Sequence, residues 1–267
     1  MAFIERDLEE SSRAGAGMFS DPSITAALAW PTLAILWAGG FLGGIASGGA
    51  GFAFAVVASS IWLHVIDPVR SAFLIVFCGT VMQLSLIWPM RRSLQLARLW
   101  PFLLGCAIGI PLGVYYLTRS DAGAVKIFLG WFLMAFGAYA IITPHLPVIK
   151  WGGRAADAAI GVIGGFMGGM GGYSGVIPTI WTQLRGWKKE AARAVYQPFI
   201  LFAHIGVMLG IGVMAFDWNA VLLAIIVLPV VLGGAFVGWQ IYGRLDEKRF
   251  RQVLALLLVI SGAALVF

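Results

Sequence analysis

Charge is what this chain has least of. Only 11% of its 267 residues are Asp, Glu, Lys or Arg, against roughly a quarter in an ordinary soluble domain. Its twelve carboxylates lie in the N-terminal tail or at the edges of apolar runs, and none falls at the centre of one. A carrier of cations or a proton pump usually places a carboxylate in its pathway, so this distribution speaks against metal cations and polyamines. There are two cysteines, Cys78 and Cys106, both inside apolar runs. They read as buried free thiols without metal-ligand spacing. No phosphate loop or dinucleotide fingerprint occurs, so neither an ATP site nor any cofactor is expected. The net charge of +6 does not point to nucleic acid, because no basic tail or helix face is long enough to track a phosphate backbone. The polar, acidic first twenty residues are not a cleavable signal peptide.

Apolar residues make up 60% of the chain, with a mean hydropathy of +0.92. A soluble core of this size has no use for so much apolar surface; the excess faces lipid. The runs fall in a pattern. A polar tail at 1–23 precedes an apolar helix at 24–45, a glycine-rich break at 46–51 and a short run at 52–65. Longer runs follow at 70–90, 97–117 and 124–143. After a loop at 144–155 the order recurs, with a helix at 156–169, a break at 170–175, a short run at 176–186 and long runs at 191–214, 219–242 and 249–266. The chain thus reads as an all-α polytopic membrane protein with a tail (1–23), a first repeat (24–143), a connecting loop (144–155) and a second repeat (156–267). A full span needs about 20 apolar residues, so the short runs at 52–65 and 176–186 do not cross alone. Each reads as the second arm of a broken or re-entrant pair with a glycine-rich tip. The alternative is an ordinary span with small-residue helix packing.

The halves resemble each other in sequence. Gly39-Gly40-Phe41-Leu42-Gly43-Gly44 matches Gly164-Gly165-Phe166-Met167-Gly168-Gly169, 125 positions on, and the same offset relates Gly113 to Gly238, Arg119 to Arg244 and Asp121 to Asp246. One pair plus three spans makes an odd number of crossings per half, so the second half enters from the opposite side: two inverted five-helix repeats. Loops 91–98, 144–155, 185–193 and 243–251 carry 13 of the 18 Lys and Arg, which makes that side cytoplasmic. Both termini then lie on the non-cytoplasmic side of a multi-pass protein of the inner (plasma) membrane.

Broken helices in matching positions of inverted halves mark a substrate site. A break at membrane depth frees backbone N–H and C=O groups, and a helix that starts after it aims its positive end at the gap. The expected site comprises Ser47, Gly48, Gly49 and Gly51 from the first break and Gly171, Gly172, Tyr173, Ser174 and Gly175 from the second. Buried Gln83, Gln197 and His204 add polar groups. The ligand such a site suits is a small anion; close helix packing without a ligand is the plainer reading. Arg70 and Arg193 begin the third helix of each half, either drawing anions to the mouths or snorkelling at the interface. His204 is open to three roles: carrying a proton, hydrogen-bonding the substrate, or bonding a backbone carbonyl for structure.

Gly39 to Gly51, the echo at Gly164 to Gly175, and the basic loop Lys188-Lys189-Glu190-Ala191-Ala192-Arg193 resemble the sulfite exporter TauE/SafE family, also called the toluene-sulfonate uptake permease family. The resemblance covers residues 30–267. It implies a transporter, not an enzyme, whose partners are the lipid bilayer and a small anionic substrate such as sulfite, a sulfonate or a related oxoanion. Two other functions are weighed beside it. An anion channel or membrane scaffold would share the composition. An intramembrane serine protease would use Ser174, in Gly172-Tyr173-Ser174-Gly175, with His204. The duplicated glycine context explains that motif without catalysis.

Overall fold

The computed structural model describes residues 29–51, 53–87, 94–142, 148–149, 151–241 and 247–267. The polar tail at 1–23 and the basic residues Arg91, Arg92, Lys150 and Arg244 lie outside them. Among the described residues the chain forms ten helices and no strand, in two runs of five. The first run is α1 (Trp30–Ala50), α2 (Phe54–Trp62), α3 (Pro68–Ile87), α4 (Leu96–Arg119) and α5 (Ala122–Ile142). The second is α6 (Gly153–Gly171), α7 (Val176–Leu184), α8 (Lys189–Met214), α9 (Trp218–Ile241) and α10 (Glu247–Val266), with a 3-10 turn at Tyr173–Gly175 between α6 and α7. Six of these helices (α1, α3, α4, α5, α8 and α9) are long and apolar enough to cross a membrane. The short helices α2 and α7 have nine residues each, about 14 Å of helix, or half a bilayer core.

The breaks are narrower than the sequence suggests. Glycine is a poor helix former in isolation, yet α1 stays helical through Ser47, Gly48 and Gly49 and ends at Gly51; α6 runs through Gly171 and ends at Gly172. The reason is packing. The glycines of α1 lie against the backbone of α9, where a Cβ on Gly44 would strike the carbonyl of Val231 and one on Gly48 that of Ala235. From the other side, a Cβ on Gly234 or Gly238 would strike the carbonyls of Phe41 and Ile45. The same arrangement joins α4 to α6, with Gly105, Gly109 and Gly113 against the carbonyls of Ala158, Val162 and Phe166. Backbones this close gain dispersion contacts along their whole length, the interaction available between helices in lipid.

These contacts set the structural correspondence of the halves. The fourth helix of each half packs on the first helix of the other, the third helices pack together, and so do the fifth. Matched by their glycine contacts and left-handed caps, however, the first helices correspond with a shift of 121 positions rather than 125. Gly40, Gly44, Gly48 and Gly51 then correspond to Gly161, Gly165, Gly169 and Gly172, and their partners on α9 and α4 correspond in turn. Along α5 and α10 the partners run in opposite order, Gly130 meeting Gly262 and Gly137 meeting Ala255, so these two corresponding helices are antiparallel.

Each short helix folds back along the helix before it. The indole Nε1 of Trp62 donates to the Leu36 carbonyl at 2.9 Å, and that of Trp181 donates to Asp157 Oδ1 at 2.7 Å. Leu36 and Asp157 correspond under the shift of 121. Asp157 is therefore buried, one turn inside α6, where the sequence reading placed it at a loop edge. A Cβ at Gly109 has no room, whereas Gly233, on α9, has nothing within 4 Å of that position. Gly109→Ala is expected to cost about 1–3 kcal/mol and Gly233→Ala to be neutral or stabilising by up to about 1 kcal/mol, read as opposite shifts of the thermal midpoint in detergent.

Candidate functional site

Two glycines end the first helices in the same way. Gly51 and Gly172 have φ of 83° and 82°, the left-handed conformation that glycine adopts without Cβ strain. The Gly51 N–H donates to the Ser47 carbonyl at 2.7 Å and the Gly172 N–H to the Gly168 carbonyl at 2.6 Å. Each cap turns the chain sharply, so the short helix starts beside the tip it has just left. Neither α2 nor α7 has a side chain capping its first turn, so the positive ends of both helices are left to the space between the tips.

That space is a cavity of about 10 Å³, room for about one water-sized sphere. It is lined by Ser47, Gly51, Phe54 and Ala55 from the first pair, Gly79, Met82 and Gln83 from α3, Gly172 and Gly175 from the second tip, and Ile200 and His204 from α8. Six of the residues expected from sequence thus meet here: Ser47, Gly51, Gln83, Gly172, Gly175 and His204. Under the shift of 121, Gln83 and His204 occupy corresponding positions on α3 and α8. Both are buried. Gln83 Oε1 and His204 Nδ1 are buried without a hydrogen-bond partner, while His204 Nε2 lies 3.4 Å from the Gly172 carbonyl.

The other expected residues surround the cavity or serve packing. Gln197, immediately before Pro198 on α8, is buried, its amide nitrogen 3.3 Å from where a Cβ of Gly51 would stand, and its Oε1 is unpartnered. Ser174 is fully buried with an unpartnered Oγ. It makes no hydrogen bond to His204, as a nucleophile and its base would. Tyr173 is fully buried outside the cavity lining, its ring 5.3 Å from that of Phe132 on α5, and Gly171 lies against that same tyrosine ring. Gly48 packs on α9, and Gly49 sits in the last turn of α1. Arg193 is half-buried in the first turns of α8, outside the cavity lining.

Sequence reasoning passed over Gly79. A Cβ there would lie 2.6 Å from His204 Cε1 and 2.8 Å from Nδ1, so the glycine is what admits the imidazole. Its signal was an isolated glycine one turn before Gln83 in an apolar run, the usual mark of a close approach.

Arg70 stands at the mouth of a second, larger cavity of about 280 Å³ between the start of α3 and the α8–α9 turn, lined by Asp67, Phe73, Ile211 and Asp217 among others. Its Nε donates to Asp217 Oδ2 at 2.7 Å and lies 3.5 Å from Asp67 Oδ2. The guanidinium charge is thus met by two carboxylates, and the ion pair joins one half of the chain to the other. A double-mutant cycle of Arg70→Ala and Asp217→Ala is expected to give a coupling of about 1 kcal/mol in thermal unfolding; additive losses would show the pair to be inert.

Comparison with known proteins bears on this geometry. No curated protein and no solved structure matches the chain. The family model described as Sulfite exporter TauE/SafE matches residues 36–265, a range that takes in both glycine tips, the cavity between them and the Arg70–Asp217 mouth. With ten helices, six of them able to span a bilayer, this chain belongs to the TauE/SafE family of membrane sulfite and anion exporters and is a transporter rather than an enzyme.

Proposed function

We propose that this protein moves small oxoanions, sulfite or organosulfonates, across the inner membrane by alternating access at the interface of two inverted halves. The observation that carries the reading is the cavity between Gly51 and Gly172: two matching helix tips, two helix starts without side-chain caps and three polar residues, Ser47, Gln83 and His204, meet at it, and no charged residue lines it among the described residues. Backbone N–H groups and helix dipoles attract an anion while leaving it mobile. A lining without carboxylates does not repel it, and one without Lys or Arg does not trap it.

The antiparallel course of α5 and α10 supports inversion across the bilayer. With it go re-entrant tips at mid-membrane, cytoplasmic basic loops and termini on the far side. Arg70 and Asp217 would then guard the non-cytoplasmic mouth. From Phe73, in the lining of that mouth, to Gln83 is ten residues of α3, about 15 Å of helix, so the inner cavity lies half a bilayer deep. About 10 Å³ is too little for an oxoanion, so loading requires the halves to part around the tips, as alternating access demands. A negative-inside potential of 100 mV favours exit of a monoanion by about 2.3 kcal/mol, which makes export the downhill direction.

Proteoliposomes test the reading. Saturable flux of sulfite or a sulfonate is expected; linear flux would indicate a channel, and no flux of sulfite, sulfate or any sulfonate would overturn the substrate class. Gln83→Leu removes a buried, unpartnered carbonyl oxygen, so it is expected to keep or raise the thermal midpoint. The same change is expected to cut flux about tenfold or more, the equivalent of one lost hydrogen bond to a charged ligand.

A further inference from the structure

His204 is 4% exposed, and its two ring nitrogens are used unequally. A carbonyl oxygen only accepts, so the 3.4 Å contact with Gly172 favours the tautomer with its hydrogen on Nε2. In the neutral ring Nδ1 is then a bare acceptor. It is buried and unpartnered, and it lies close against Gly79, where a Cβ would stand only 2.8 Å from it. The nearby Oε1 of Gln83 is likewise unpartnered. An anion-binding cavity is expected to present donors; the lining of this one includes a residue with an unpartnered acceptor nitrogen. Two lone pairs facing each other repel, and one proton between them removes the conflict.

We propose that the anion is carried together with one proton, held between an anion oxygen and Nδ1 of His204. The proposal rests on reading this cavity as the anion site. The proton comes from water on the loading side and leaves to water on the other, so no bond other than O–H or N–H forms or breaks. With a weak-acid oxoanion such as sulfite the proton stays on the substrate as hydrogen sulfite, whose O–H donates to Nδ1. With a sulfonate, the anion of a strong acid, the imidazole takes the proton and Nδ1–H donates to the sulfonate oxygen. In both cases one proton accompanies one anion.

His204 is placed to do this alone. It is the one ionisable residue lining the cavity. On the elements packed against α8, each of the buried titratable groups is turned elsewhere. The Cys78 thiol faces the Ala224 carbonyl, Cys106 lies at the α4–α6 contact beside Gly165, Asp157 holds Trp181, and Tyr173 packs on Phe132. Arg70 is held by Asp217 at the mouth. Arg98 and Arg154, in the first turns of α4 and α6, sit over the rings of Trp187 and Trp100.

The test uses the whole protein in liposomes loaded with methanesulfonate, or with sulfite, and a trapped pH dye, with protein-free liposomes as control. Efflux of anion down its gradient is expected to make the lumen more alkaline, with about one proton leaving per anion. In His204→Gln and His204→Asn carrying methanesulfonate, the protons moved per anion are expected to fall at least about tenfold. Wild-type efflux with no lumenal pH change overturns the proposal while leaving the transport function intact, as does full proton movement in either variant that still carries methanesulfonate. Absence of any protein-dependent efflux instead overturns the assigned function. The wild-type ratio of protons to anions is decisive even where a variant does not fold.

Discussion

A chain that turns back inside lipid, as we propose for this one at two places, must satisfy every peptide group it bends, because no water is there to do so. At Gly51 and Gly172 the left-handed glycine returns its N–H to the carbonyl four residues back, which limits the disruption to a single turn. The short helix that follows is then held against the first by an indole hydrogen bond, Trp62 to the Leu36 carbonyl in one half and Trp181 to Asp157 in the other. Neither α2 nor α7 has a side chain capping its first turn, and Phe54, Ala55 and Gly175 at those starts line the same small cavity.

The hairpins stand only because their first helices have something rigid to lean on. Glycines at every fourth position let α1 and α6 press their backbones onto α9 and α4, and the glycines of α9 and α4 reciprocate. Since each of these contacts joins one half to the other, neither half completes its own hairpin support. The frame is symmetric, and the chemistry placed in it is not. Under the shift of 121 the second half sets Asp157 where the first has Leu36, and His204 where the first has Gln83. The first difference strengthens a clasp; the second gives one side of the cavity a titratable group.

Much of this was legible in the sequence, and the failures have physical causes. Apolar run length located the helices because lipid thickness fixes it. The helix-end positions Ser47, Gly51, Gly172 and Gly175, and the polar Gln83 and His204, were recognisable because breaks and buried polar residues are rare in such runs. The register of the repeat was not. Glycines recur every four residues in α1 and α6, so sliding one motif by a turn still lays glycine on glycine, and only the partners on α9 and α4 choose between 121 and 125. The extent of the breaks was overestimated because propensity counts Gly48 and Gly49 as helix breakers, whereas a packed backbone keeps them helical. Arg70 could not be matched to Asp217, 147 residues away, by any local pattern.

A site for transport must hold its ligand without keeping it, and the distribution of charge here meets both terms. The full charges on the described helices are spent on one another or at the ends: Arg70 on Asp217, Asp157 on an indole, Arg98 and Arg154 over aromatic rings. What is left for the ligand is partial charge, in helix ends, amides and an imidazole. A fixed arginine in the cavity would bind an oxoanion more tightly and would also cost several kcal/mol to bury in each cycle once the anion had left. A neutral imidazole that meets the anion's proton avoids that cost, because the empty site carries no uncompensated charge. In that view the scarcity of charge with which the sequence is first read and the unpartnered Nδ1 at its centre are the same design, a pathway whose empty and loaded states are both tolerable to the bilayer.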